Sequence, residues 1–288
     1  MCDIAFVILH YLGFTDTCEC VESIKKNVGT ENYKIIIVDN NSPDDSFSKL
    51  HEEYSEDERI TLIHNTENYG FARGNNIGFR YARDELQASF IVLANNDTCL
   101  FQRDFYPILR DSYLENHFAV MGPMIITKDG SGRSNPFGEK ALDETETRAL
   151  IRRNRLEIIL YKIGLFKIYH FMQLVFLKLF KKKNMRSFRY DQKHENVKLH
   201  GSFLVFSKDY TERYDGLDES TFLYFEEEIL YYTLMKDGMR TLYDPSISIY
   251  HKEDVSTEYS FGKGKKKEVF MREMQLDSME YYLSILNK

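Results

Sequence analysis

Along the first 126 positions, short apolar runs alternate with longer stretches in which apolar and polar residues recur at helical spacing. The run from Asp3 to Leu9, closed by His10, predicts a buried strand, and Thr15 is placed to cap a helix reaching Val28. Ile35 to Asp39 holds three Ile and a Val, the pattern of a central parallel strand, and it stops at an Asn/Ser cluster that favours a turn. A helix over 44–55, a strand over 60–64, a helix after Ala72 and a strand over 89–94 follow. Strands alternating with helices of this length imply βαβ units and a parallel sheet, whose ligands sit beyond the carboxyl ends of the strands. Those ends are Asp39-Asn40-Asn41, Asn65 to Asn68, and Asn95-Asn96-Asp97.

The second half reads differently. A strand near 118–126 precedes a Gly/Ser loop (129–138), and a long helical region covers about 141–183. A strand at 197–206, a helix over 225–237, short strands near 239–250 and a final helix over 265–287 complete the chain. The topology changes near residue 125 without a linker, which suggests one unit with two lobes. Its three segments are 1–128, a helical basic insert at 129–196, and 197–288.

Composition narrows the class. With 43% hydrophobic and 29% charged residues the 288-residue chain is too apolar for disorder, and five Pro with 15 Gly exclude a collagen-like architecture. Cys2, Cys18, Cys20 and Cys99 have no metal-type spacing and read as free thiols of a reducing compartment. No basic stretch precedes the first strand, so no signal peptide is expected. The net charge is −7, yet residues 151–190 hold eleven Lys or Arg against one acid, Glu157. That distribution argues against nucleic acid as partner and for a local anionic surface such as lipid headgroups.

Three motifs carry candidate chemistry. Asp39 ends the second strand, where an acid can bond a ribose or a base. A dinucleotide fold also needs a Gly-rich turn after the first strand, and His10-Tyr11-Leu12-Gly13-Phe14 has one Gly, so the dehydrogenase reading fails. A helix-capping Asp without ligand is the alternative. In the run Asn68 to Gly78, three glycines at spacing four allow close backbone approach and Arg73 can meet a phosphate, whereas tight packing of a helix on the sheet would explain the glycines alone. In Asn95-Asn96-Asp97, one carboxylate flanked by amides suits a hard divalent cation that keeps waters and a diphosphate among its ligands, or else an Asx turn.

In order and spacing these motifs resemble the inverting family 2 glycosyltransferases, in particular the bacterial rhamnosyltransferase-like branch that builds surface polysaccharides. The resemblance resumes after the insert with Gly201-Ser202-Phe203, Tyr214 to Glu219, Phe222 to Glu227, and His251 with Ser256. It implies a GT-A fold: α/β, with a mostly parallel central sheet flanked by helices, a Rossmann-like nucleotide half and an acceptor-binding half. It further implies a nucleotide-sugar donor (UDP- or dTDP-linked), Mn2+ or Mg2+, and a glycan or polyprenyl-diphosphate-linked acceptor. Carried over by position, Asp39, Asn41, Asn68, Gly70, Arg73, Asn76 and Asn96 bind the donor, while Asp97, Asn95 and His251 face the metal or diphosphate. Glu227, with Glu226 beside it, supplies the base that deprotonates the acceptor in a single displacement. Three departures stand out: Asn95 replaces the first Asp of the metal motif, Glu227 stands where the family places the Asp of its Glu-Asp catalytic pair, and Ile229 replaces a frequent acid two positions further on.

Residues 162–181 place Lys162, Lys167, His170, Gln173, Lys178 and Lys181 within about 160° on a helical wheel, opposite Leu165, Ile168, Met172, Val175, Phe176 and Leu179. The longest stretch without a charge is 168–177, too short to span a bilayer. Such a helix can lie in a membrane interface with Lys181-Lys182-Lys183 and Arg186 near anionic headgroups, joined by Lys263, Lys265, Lys266 and Lys267. It can equally dock on the protein or on a second subunit. A cytoplasmic enzyme peripheral to the inner face of the membrane is the expectation. Two alternatives stay open: a nucleotide-binding pseudo-glycosyltransferase, favoured by Asn95 and Ile229, and a nucleotidyltransferase, disfavoured by residues 9–20.

Overall fold

Strands β1 (Ile4–His10), β2 (Tyr33–Asp39) and β4 (Phe90–Asn95) are apolar at nearly every position because helices cover both of their faces. The computed structural model describes residues 2–128, 130, 134–180, 189–252 and 265–287. On one face Phe6, Ile8, Ile35, Ile37 and Val92 pack with helices α1 (Phe14–Asn27), α2 (Ser46–Tyr54) and α4 (Phe105–Asn116) through Ile24, Leu50 and Leu109. On the other, Val7, Ile36, Val38 and Leu93 meet α3 (Phe71–Arg80) and α8 (Glu226–Lys236) through Ala72, Phe79 and Leu234.

The nine-stranded sheet has the order β3–β2–β1–β4–β8–β6–β9–β5, with β7 paired to β9. Strands β3 (Ile60–His64), β2, β1 and β4 are parallel. From the far end of the chain β8 (Phe203–Phe206) enters antiparallel between β4 and β6 (Val120–Ile126), and β6 runs parallel to β9 (Thr241–His251). Because β8 lies between two strands of the first 128 residues, segments 1–128 and 197–288 share one sheet. The register pairs His10 with Asp39, Asp39 with His64 and Leu9 with Asn95, so the polar ends stand level along one edge.

Several boundaries differ from the sequence reading. Thr15 does not cap α1; the helix starts after Gly13, whose φ of 74° turns the chain in a left-handed conformation. The expected helix over 141–183 is two helices, α5 (Glu144–Ile163) and α6 (Phe166–Phe180), parted at Gly164 with φ 80°. That break leaves Lys162 on α5 and removes it from the polar face of α6. The expected strand over 197–206 contracts to β8, preceded by β7 (His194–Glu195) and a bridge from Lys198 to Gly138. The short strands near 239–250 are the single strand β9. Strand β5 (Thr98–Leu100), the one-turn α7 (Lys208–Thr211) and α4 were not anticipated. All four cysteines are unpaired.

Helix α9 (Lys265–Leu286) packs along α5. Glu157 is buried between them, accepts from Arg153 Nε at 2.8 Å and pairs with Arg272, so the carboxylate keeps cationic partners on both helices.

The glycines of α3 set its distance from the sheet. A Cβ on Gly78 would stand 2.5 Å from Val7 Cγ1 and 2.9 Å from Val38 Cγ2. Gly78→Ala is therefore expected to cost about 1–3 kcal/mol through overpacking, read as a lower urea midpoint with an unchanged slope.

Candidate active site

The polar strand ends organise themselves around two buried residues. Asn40 accepts from Asn65 Nδ2 at 3.1 Å and from the Tyr69 amide at 3.0 Å, and it donates to Asn68 Oδ1 at 2.9 Å and Gly70 O at 3.0 Å. The loop before α3 is thus laid onto the end of β2 by one amide. Asp39 is fully buried; it accepts from the Ser42 amide at 3.2 Å and from His64 Nδ1 at 2.7 Å, with His10 Nε2 at 3.9 Å. Burial pushes His10 below its ordinary range against the pull of Asp39, and its ring is held by Thr17 and Ser46. His64, half-exposed and stacked on Phe47, is the outward face of this group.

Gly70 fits where no side chain would: its φ is 79°, and a Cβ would stand 2.3 Å from the Phe222 carbonyl, which accepts from the Phe71 amide. This contact lays the 222–224 loop over the nucleotide half. Asn96 donates to Leu12 O and Thr17 Oγ1, tying the end of β4 to the turn after β1. Three predicted donor residues lie elsewhere. Asn76 spends its amide on Leu217 and Glu219, Arg73 lies over the Tyr69 ring at 4.3 Å, and Asn41 is exposed with φ 61°. The Asn76 amide fastens α3 to the 217–219 loop.

Beyond β4, Asp97 and His251 meet across the β5–β9 pairing, with His251 Nε2 at 3.3 Å from Asp97 Oδ1. Both side chains are buried, and Asp97 Oδ1 and His251 Nδ1 have no hydrogen-bond partner. Atoms of this kind suit a hard cation that completes its shell with diphosphate oxygens and waters. No group of three His, Cys, Asp or Glu side chains able to hold a metal forms among the described residues. The His200 ring stands 5.7 Å from His251, with Nδ1 accepting from the Ser202 amide. Ser256 lies outside the described residues.

The three acids that open α8 fall into three environments. Glu228 is paired with Lys198 at 2.8 Å and accepts from the Leu142 amide at 2.6 Å. Glu227 accepts from the Gly201 amide at 3.2 Å, and a Cβ on Gly201 would come within 2.8 Å of the same oxygen. Glu226 is buried with Oε1 unpartnered; burial first, then the neighbouring Glu227 charge, pushes its carboxyl up to about 8. Tyr224 (φ 73°) and Phe225 (φ 70°) precede them in left-handed conformations that cost non-glycine residues about 1–3 kcal/mol each. Ile229, where an acid was anticipated, is in the core.

A cavity of about 240 Å³ opens along this edge. Asn68, Gly70, Asn95 and Asn96 line it, together with Asn40, Tyr11, Phe222, Tyr224 and, from α9, Phe270 and Met271. Asn40 stands in a strand end that the sequence marks without giving it a role, and Tyr11 in the turn after β1, which the sequence marks only for its single Gly. The α9 residues carried no signal, because nothing local records which helix closes a distant cleft.

Residues 6–182 match the family described as Glycosyl transferase family 2. The low-salt glycan biosynthesis hexosyltransferase Agl10 of Haloferax volcanii is 24% identical over 260 residues, covering 88% of this chain and 68% of its own. GalNAc-T7, solved with UDP, GalNAc and Mn2+, superposes with a TM-score of 0.58 at 12% identity over 88% of this chain. The chain spans only 44% of GalNAc-T7. Staphylococcus aureus TarS 1–349 in complex with UDP gives 0.54 at 11% identity, over 92% of this chain and 68% of that one. At such identities the superpositions establish the fold, the GT-A arrangement.

The raised Glu226 carboxyl has a signed consequence for stability. The folded state keeps a proton that the unfolded chain releases near pH 4.5, so this contribution is full below that pH and is lost as pH rises towards about 8. Glu226→Gln is expected to remove a loss on the order of a few kcal/mol across that window, seen in urea midpoints measured at pH 5 and at pH 8.5.

Proposed function

The chain belongs to glycosyltransferase family 2, and from that premise we propose that it transfers a hexosyl unit from a UDP- or dTDP-sugar to a glycan or polyprenyl-diphosphate-linked acceptor, with inversion. The acceptor belongs to bacterial surface-polysaccharide assembly, and the enzyme works in the cytoplasm at the inner face of the membrane. Agl10 is named a glycan biosynthesis hexosyltransferase, and TarS and GalNAc-T7 were solved with UDP; these support the substrate class.

One observation carries the reading. The segment His200–Ser202 touches both chemical centres: Gly201 holds Glu227, the Ser202 carbonyl accepts from the Asn95 amide at 2.8 Å, and His200 abuts His251. A base and a diphosphate site are thereby fixed to one short stretch of backbone.

Glu227 takes the acceptor hydroxyl proton as that oxygen attacks the anomeric carbon, and the nucleoside diphosphate leaves from the opposite face. Burial pushes the Glu226 carboxyl up to about 8, which favours its neutral form and limits the charge beside the base. Asp97 and His251, with the Asn95 amide, would hold Mn2+ or Mg2+, which neutralises charge developing on the leaving diphosphate. Asp39 with its exposed partner His64 would meet the nucleobase, and Asn68 and Gly70 line the cavity.

The test is thermal stabilisation by UDP and dTDP with Mn2+, Mg2+ or EDTA. A nucleotide at about 100 times its dissociation constant adds roughly 2.7 kcal/mol of apparent stability. The expected result is stabilisation that needs metal and disappears in Asp97→Ala; no response to any nucleotide sinks the donor assignment. Glu227→Gln is expected to lower kcat by about 10²–10⁴ while leaving nucleotide binding intact. Intact binding with no sugar transferred by wild type to lipid-linked acceptor would favour the pseudo-glycosyltransferase instead, and NMR of the product's anomeric proton decides inversion.

Gly201→Ala probes the positioning of the base. The backbone there tolerates alanine, so the Glu227 carboxylate must move. A displacement of this kind is expected to lower kcat by up to about 10² with the donor KM unchanged. A wild-type kcat would remove Glu227 from the base role.

A further inference from the structure

We propose that α6 is a docking element that lies in the headgroup region of an anionic lipid bilayer. Ile168, Phe171, Met172 and Val175 fall within about 100° of one another around the helix, and each is between 40% and 66% exposed. Leu165 before them and Ile159 and Ile163 at the end of α5 extend the same apolar exposure. Among the described residues Phe166 ties the start of α6 to the rest of the fold, and an apolar strip of this size beyond it is a surface built to be covered.

Charge identifies what covers it. From Ile158 to Tyr190 the sequence contains no Asp or Glu and eight Lys or Arg, in a chain whose net charge is −7. Lys162 is neutralised by Glu273 at 2.8 Å, but Lys167 and His170 are exposed on α6 itself. A second copy meeting this face by two-fold symmetry would set two basic surfaces against each other. An anionic bilayer accepts the basic residues at the headgroups and the apolar strip just beneath them. No described helix is long and apolar enough to cross a membrane, which leaves the in-plane mode. Lys181, Lys182, Lys183 and Arg186 lie outside the described residues and enter only through their charge.

The root of α6 is fixed to the rim of the active-site cavity. Phe166 stacks on Tyr161 at 3.8 Å, and the Arg272 guanidinium sits 5.0 Å from both rings. Arg272 follows Phe270 and Met271, which line the cavity. A helix docked on lipid therefore holds that rim near the headgroups, where a lipid-linked substrate presents its polar end.

Sedimentation of the full chain with vesicles tests this by binding alone, independently of the donor and acceptor assignments. Wild type is expected to pellet with phosphatidylcholine–phosphatidylglycerol vesicles and to stay in solution with phosphatidylcholine alone. Replacing Ile168, Phe171 and Met172 together by Gln is expected to weaken partition at least about a hundredfold. Lys167→Gln is expected to weaken it about fivefold, with salt lowering wild-type binding further. These side chains are exposed, so the melting temperature should not move, and Lys167→Gln keeps the test valid if the triple variant misfolds. Failure of wild type to bind anionic vesicles overturns the proposal. So does light scattering that shows a wild-type dimer and a monomeric triple variant, which would make a second copy the occupant.

Discussion

The backbone of Gly201 and Ser202 joins two centres that would otherwise sit on separate parts of the chain. The Ser202 carbonyl accepts from Asn95 at the tip of β4, and one residue earlier the Gly201 amide holds the Glu227 carboxylate at the head of α8. Both bonds are possible only because β8 is inserted antiparallel beside β4, which carries residues from beyond position 200 to the edge formed by β1, β2 and β4. The missing side chain at 201 matters as much as the bond, since a Cβ there would occupy the space of the carboxylate. The separation between the end of β4 and the Glu227 carboxylate is therefore set by the short turn at Gly201–Ser202, which the pairing of β8 with β4 anchors at its far end.

Helix geometry then divides labour among three consecutive carboxylates. Successive residues on a helix point about 100° apart, so Glu226, Glu227 and Glu228 cannot share one environment. Glu228 turns towards Lys198 and the Leu142 amide and anchors α8 to the segment that leads into α5. Glu226 turns inward, where removal from water keeps it protonated. Glu227 remains as the carboxylate facing the edge. The left-handed Tyr224 and Phe225 aim this helix start, and the contact of Phe222 with Gly70 restrains the loop that carries them.

What the sequence made legible follows from where each kind of information resides. The apolar runs of β1, β2 and β4 are buried on both faces, a condition that leaves its mark on nearly every residue, and the strand ends followed directly from it. Asp97 and His251 could be named as a pair through the family resemblance, although their 3.3 Å approach depends on a pairing between β5 and β9 that a three-residue strand does not announce. In the Asn68–Gly78 motif the sequence does not separate packing from ligand binding. Asn75 and Asn76 satisfy backbone groups of Phe71 and Leu217, and buried amides with such partners look the same in sequence as amides kept for a ligand. The break at Gly164 was also missed, because α5 and α6 are continuous in helical periodicity and one glycine is ordinarily tolerated within such a run.

That glycine decides what becomes of the apolar residues after it. Helix α5 has a partner: Ile151 and Ile158 are buried, and its charged residues Arg155, Glu157 and Lys162 all find counter-charges on α9. The two helices run antiparallel, and Lys265 at the start of α9 donates to Lys162 O at 2.7 Å, so α5 reaches the end of its companion helix just where it stops. With φ of 80° at Gly164 the chain turns away, and only Phe166 stays within the Tyr161–Arg272 cluster. The polar partners of the insert are thus gathered on α5, and the residues with the least need of polar partners are carried on α6, away from the fold. Apolar burial is the dominant favourable term available to a folding chain. Helix α6 leaves Ile168, Phe171 and Met172 without that burial in its own fold, and on the proposed reading a lipid headgroup region supplies it.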